Sequence, residues 1–282
     1  MNCKQISCIL IFILMSSNLL GQTDLKFEYH CNKEFIRPIR TDIMLKFPNG
    51  RIEKLLSDTM RSLEYFKKGY FRKSGNYLLS IRSTGLDSKT VSTDYRFVLN
   101  GKENEVKIDI SFHYNSKLSN ENGNWNDKQV KTDALISVIK YYESPKSIEL
   151  SLEDLESEDI PSPFLKLTNY SKDTIYGEYL PGYFWGSLSI GINDSTWTNK
   201  RIGIIDTELD NRRPLYPDSS TIATVGTWGY KNHLIKNKYK FELLFTTNWF
   251  SRGLSKYKDT DSINWWAGTK EFYRLIYKFE IK

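Results

Sequence analysis

Cysteine is almost missing from this chain. Of three cysteines in 282 residues, Cys3 and Cys8 lie at the extreme N-terminus, leaving Cys31. A lone thiol closes no internal disulfide, so the fold must rest on a packed core. Histidine is as scarce: His30, His113 and His233 are the whole set. None belongs to an HxH or HExxH pattern, whereas a zinc site needs three or four converging ligands. His30 and Cys31 are adjacent, so on a strand they point to opposite faces. No Gly-x-Ser-x-Gly elbow and no phosphate-cradling glycine loop occur. The sequence therefore predicts no cofactor, no metal and no catalytic residue.

Long apolar runs are also rare. The one that stands out is Cys8–Met15, in MNCKQISCILIFILMSSNLLGQ, after the basic Lys4 and before small and polar residues. That is the layout of a secretory signal peptide, and the run is too short to span a bilayer comfortably. Residues 1–22 are read as leader. About 260 residues remain, enough for one large core or two modest ones. No later stretch is long enough for a membrane helix. The expectation is an exported protein, periplasmic, envelope-associated or secreted, with no membrane span in its mature chain.

Charge of one sign is not concentrated anywhere obvious. The formal net charge is +6, and acids and bases alternate throughout. The nearest approach to a basic cluster is KNHLIKNKYK, 231–240. A nucleic-acid surface would present a concentrated basic face, so no nucleic-acid partner is expected. Acids recur at alternate positions in IDTELDN (205–211), a spacing that suits a hard cation on a strand. That stretch lacks the glycine and terminal Glu of an EF-hand loop. Asp154, Glu156, Glu158 and Asp159 read as a solvated charge run.

What is present is alternation. In NEVKIDISFHY (104–114), Val106, Ile108, Ile110 and Phe112 fall on one face, with Lys107, Asp109, Ser111 and His113 on the other. Similar runs occur at 39–47, 76–83, 94–100, 134–142, 164–169, 186–192, 200–206 and 238–247. In EFYRLIYKFEI (271–281), Tyr273, Leu275, Tyr277, Phe279 and Ile281 should face the core. FPNGR, KSGN, LNGKEN and YPDSS supply the turns. The segment 51–68 is ambiguous. Ile52, Leu55, Leu56 and Met60 roughly fit a helical stripe, and two short strands fit equally. The predicted class is all-β, with two antiparallel sandwich domains, 23–145 and 146–282; one large sandwich is the alternative.

The stretches FLKLTNYSKDTI, DSTW, PLYPDSS and KYKFELLF make the second half similar to bacterial immunoglobulin-like sandwiches of the intracellular proteinase inhibitor type. FPNGRI and KSGNYLLSI make the first half resemble prealbumin-like, carboxypeptidase-regulatory-type sandwiches. The leader ending in Gly-Gln resembles those of exported Bacteroidetes-type proteins. These resemblances imply a fold and an exported, non-catalytic module; fold likeness alone carries no activity.

Aromatics are abundant, with seven Trp, 18 Tyr and 15 Phe. Trp197, Trp249 and Phe184 read as core. The adjacent Trp265 and Trp266, in a polar Gly-containing stretch, must point opposite ways if extended. Tyr179 and Tyr183 flank the Leu-Pro-Gly bend. These four rings are the predicted ligand contacts. Three functions stay open: a protein-interaction or envelope module, a carbohydrate-binding module, and a hydrolase whose site is dispersed along the chain. The partner is accordingly a protein or a glycan.

Overall fold

The computed structural model describes residues 22–31, 38–58, 62–85, 90–114, 132–153, 164–177, 184, 186–191, 196–197, 204–206, 214–226, 237–248 and 268–281. All regular structure among them is β. The chain divides into two compact units, 1–140 with 257–270, and 141–256 with 271–282.

The first unit contains β1 (Thr23–Cys31), β2 (Pro38–Lys46), β3 (Ile52–Asp58), β4 (Ser62–Phe71), β5 (Gly75–Gly85), β6 (Thr90–Leu99), β7 (Glu105–Tyr114) and β8 (Thr132–Glu143) as far as Lys140. One sheet runs β8-β7-β1-β4 and the other β3-β2-β5-β6. Period two drives the packing: Leu25, Phe27 and Tyr29 of β1, and Val106, Ile108 and Ile110 of β7, are fully buried. Ile43, Leu45, Tyr77, Leu79, Ile81, Phe97 and Leu99 from the second sheet join the same cluster. A buried hydroxyl chain, Tyr29 to Thr41 at 3.2 Å and Thr41 to Ser83 at 3.0 Å, satisfies the polar atoms among them. β8 departs from alternation: Ile136 through Lys140 are all buried. Its pattern is that of a strand covered on both faces.

The ambiguous stretch 51–68 forms strands, β3 and the start of β4, and no helix. Its helix-like stripe has a local cause. Ile43 pairs with Leu56 and Met44 with Lys54, so Leu55 is an extra residue in a bulge. A bulge places neighbouring side chains on one side, which buries both Leu55 and Leu56. Ile52, which completes the apparent stripe, is 61% exposed.

The second unit contains the end of β8, β9 (Ile148–Glu153), β10 (Phe164–Asn169), β11 (Tyr176–Gly177), β12 (Gly186–Ile190), β13 (Ile204–Asp206), β14 (Ser219–Gly226), β15 (Asn237–Thr246) and most of β16 (Gly268–Ile281). One sheet runs β13-β14-β10-β9; in the other, β11, β12 and β16 all pair with β15. Leu165 and Leu167, then Tyr239, Phe241, Leu243 and Phe245, form the core with Phe184. Tyr273, Leu275, Tyr277 and Phe279 pack against it as expected, half-buried.

One connection crosses between the sheets, and one expectation fails. The turn after β10 makes no hairpin: β10 pairs with β9 and β14, whereas β11 pairs with β15 in the other sheet. The buried Asn169 directs that crossing. Its amide donates to the carbonyls of Asp173 at 2.8 Å and Leu215 at 3.0 Å, and its Oδ1 accepts from the Ser171 amide and hydroxyl. Trp197 is no core residue. It is half-buried, with the ammonium groups of Lys240 and Lys278 at 5.7 and 5.9 Å from its ring.

A basic cleft at one end of the first unit

The β2–β3 connection FPNGR forms a tight turn. The Gly50 amide donates to the Phe47 carbonyl at 2.9 Å, and the Phe47 amide to the Arg51 carbonyl at 2.8 Å. Pro48 suits the second position of such a turn, and Gly50, at φ 84°, supplies the left-handed residue. The turn brings Phe47 and Arg51 to one end of the sandwich. There the Arg51 guanidinium stands 4.1 Å from the centre of the Phe47 ring.

The end of β4 supplies the opposite wall. Leu25 pairs with Lys67 but Thr23 with Phe71, so β4 carries extra residues between these pairs. Gly69 takes φ 59° within this irregularity, a conformation natural to glycine. Its amide donates to Asp24 Oδ1 at 2.7 Å. The bulge interrupts alternation, so Lys67 and Lys68 are both exposed and Tyr70 is half-buried.

Together these elements line a cleft of about 550 Å³. Its walls include Arg51, Lys67, Lys68, Arg72 and Lys73 against the single carboxylate of Glu53. Glu53 is shared: Arg51 reaches its Oε2 at 3.3 Å and Lys67 its Oε1 at 3.2 Å. Among the described residues, Lys68, Arg72 and Lys73 have no ion pair. The floor is aromatic, with Phe47 5.6 Å from Tyr70 and 5.5 Å from Tyr77. Lys67 Nζ lies 5.2 and 5.1 Å from the Tyr65 and Tyr70 rings.

Two phenols in this region are unusual. Among the described residues the buried Tyr65 hydroxyl has no hydrogen-bond partner, and the Tyr70 hydroxyl meets none in good geometry, its nearest acceptor being the Glu53 carboxylate. Burial, reinforced by the Glu53 carboxylate, pushes the Tyr65 phenol up to about 12 and the Tyr70 phenol higher still. Both stay protonated at neutral pH and can act as donors. Tyr77, raised by burial, donates to the Lys73 carbonyl at 2.6 Å.

Tyr179, Tyr183, Trp265 and Trp266 lie outside the described residues, as do Trp249, His233 and the stretch 207–211. His30 is exposed at the end of β1. No group of three or more His, Cys, Asp or Glu that could hold a metal occurs among the described residues. Ser137 and Lys140 have the Ser-x-x-Lys spacing, but residues three apart on β8 point to opposite faces. No described helix is long and apolar enough to cross a membrane. Sequence reading missed the cleft, although EYFKKGYFRKSG (64–75) carries four of its five cations.

The fold is that of an all-β protein built from packed antiparallel and mixed sheets. No protein-family model and no curated protein matches the chain. A solved structure, the major pilin subunit of Bacillus cereus, aligns at 13% identity over 80% of this chain and 64% of that one, with TM-score 0.19. The chain thus spans less than two thirds of that pilin, and at this score the likeness carries no argument.

Proposed function

We propose that the protein is an exported, non-catalytic binding module of the envelope or secreted fraction, and that its partner is a protein or a glycan. The observation that carries this reading is the lining of the cleft. Five cations and three rings converge on turns held by a rigid sandwich, the residue types that hold ligands. The leader supports export. The immunoglobulin-like and prealbumin-like resemblances support a module; FPNGRI and KSGNYLLSI both contribute residues to the cleft wall.

Cell fractionation with intact mass measurement tests export: the expected product lacks the leader and leaves the cytoplasm. Affinity capture from the envelope fraction and tryptophan quenching across a glycan panel test binding. Repeating the glycan panel with Trp265→Ala, Trp266→Ala, Tyr179→Ala and Tyr183→Ala tests these four rings as sugar contacts. A full-length cytoplasmic product, or hydrolytic turnover of a panel substrate, would overturn the reading.

A further inference from the structure

We infer that the cleft is a receptor for an oxyanionic group, a carboxylate, sulfate or phosphate, and that Glu53 occupies its two central cations until such a ligand displaces it. The inference rests on the binding-module reading and names the ligand chemistry.

Four features converge. First, Arg51 is preorganised: its guanidinium lies against Phe47, and its backbone amide donates to Asn49 Oδ1 at 3.1 Å. A held guanidinium offers paired donors suited to an oxyanion. Second, Lys67 is steadied between the Tyr65 and Tyr70 rings. Third, Lys68, Arg72 and Lys73 add positive charge around the same opening, with no ion pair among the described residues. Fourth, the Tyr70 hydroxyl lines the same cleft beside the Glu53 carboxylate, without a hydrogen bond of good geometry among the described residues, and can donate to an oxygen that takes the place of Glu53.

Glu53 shows which chemistry suits these groups. Its carboxylate already bridges Arg51 and Lys67 at 3.3 and 3.2 Å. A carboxylate from this chain is therefore the internal counterpart of the ligand. The pairs are partly exposed, with side-chain exposures of 57% for Arg51, 31% for Glu53 and 44% for Lys67. Exposed pairs of this kind are weak, so an external anion can replace Glu53 at small cost. The other nearby carboxylates are engaged elsewhere: Asp24 accepts from Gly69, and Glu103 accepts from the Asn100 and Gly101 amides at 2.8 Å each.

The test titrates the full mature chain with glucuronate, glucose 6-sulfate and glucose 6-phosphate at low salt, with glucose as neutral control. Calorimetry gives affinity, and amide chemical shifts of Gly69, Arg72 and Lys73 locate binding. At least one acid should bind while glucose does not, and the preferred arm identifies the oxyanion. Arg51→Ala should weaken binding about tenfold, the loss of one charge-assisted hydrogen bond. Glu53→Gln should tighten it several-fold by removing the internal competitor. Tyr70→Phe should weaken binding while leaving the fold intact by its amide chemical shifts. Arg51→Lys, which keeps the charge, covers the case in which Arg51→Ala misfolds, and should still bind more weakly than wild type. Equal affinity in wild type and the Arg51 variants, weaker binding by Glu53→Gln, or no binding of any acid overturns the inference. Those results leave the binding-module reading standing, because a partner that engages the protein without an oxyanion would still appear in the envelope capture or the glycan panel.

Discussion

Asp24 Oδ1 accepts the backbone amide of Gly69 at 2.7 Å, joining residues 45 positions apart. This contact holds the bulge that turns Lys67, Lys68 and Tyr70 into the cleft wall. Asp24→Ala removes a charge-assisted hydrogen bond and leaves the amide without that partner, a cost of about 1.5–3 kcal/mol. Chemical denaturation should show the loss, and binding of the acidic probes should weaken with it. Full stability in the variant would mean that the bulge is held by other contacts.

A second expectation concerns acid. On the outer face of β7-β1-β4, Glu28 accepts from Lys107 at 2.6 Å and Lys26 at 2.8 Å. Burial alone would raise the Glu28 pKa, but hydrogen bonds and charge from Lys107 and Lys26 outweigh it and hold the carboxyl below 4.5. A depressed carboxyl stabilises the fold above its unfolded pKa and loses that contribution as pH falls through the native value. Glu28→Gln should therefore lower stability at neutral pH by about 1 kcal/mol, allowing for solvent screening. Wild type and variant should converge as pH drops below 4.5. Melting curves across pH check this, and a gap that persists or widens in acid would refute it.

Gly186 offers a test in the second unit. A Cβ there would fall within the Phe241 ring, which is 1% exposed and cannot easily move. Gly186→Ala should cost about 1–3 kcal/mol through overpacking. Phe241→Leu should relieve part of that cost, because residues in contact couple in a double-mutant cycle. Additive losses would show that the ring does not respond to Gly186.

Much of this architecture is legible in the sequence. Alternation marks the strands because each sheet has one buried face, and FPNGR declares its turn through Pro48, Asn49 and Gly50. Where alternation breaks, the reading falters. Leu55 and Leu56 mimic a helical stripe because a bulge buries both, and β8 hides its pairing behind continuous burial. Trp197 reads as core because a ring's apolarity is visible in sequence, whereas the lysines that flank it come from β15 and β16. The cleft is harder still. KKGYFRK lies in plain view, but alternation assigns its lysines to separate faces of a strand. Only the bulge at Gly69 and the distant turn bearing Arg51 gather the charge into one place.

β1 is flanked on one side by β4, antiparallel, and on the other by β7, parallel. A strand inserted between two partners that follow it in the chain is made before either exists. During synthesis Leu25, Phe27 and Tyr29 can pair on the β4 side once residue 71 is made, but their other edge must wait until residues 105–114 have been made. Closing so long a loop is entropically costly, and folds dominated by such pairings form slowly. β1 thus keeps one edge open from its own synthesis until that of β7, an interval in which that edge can mispair or be held by a chaperone.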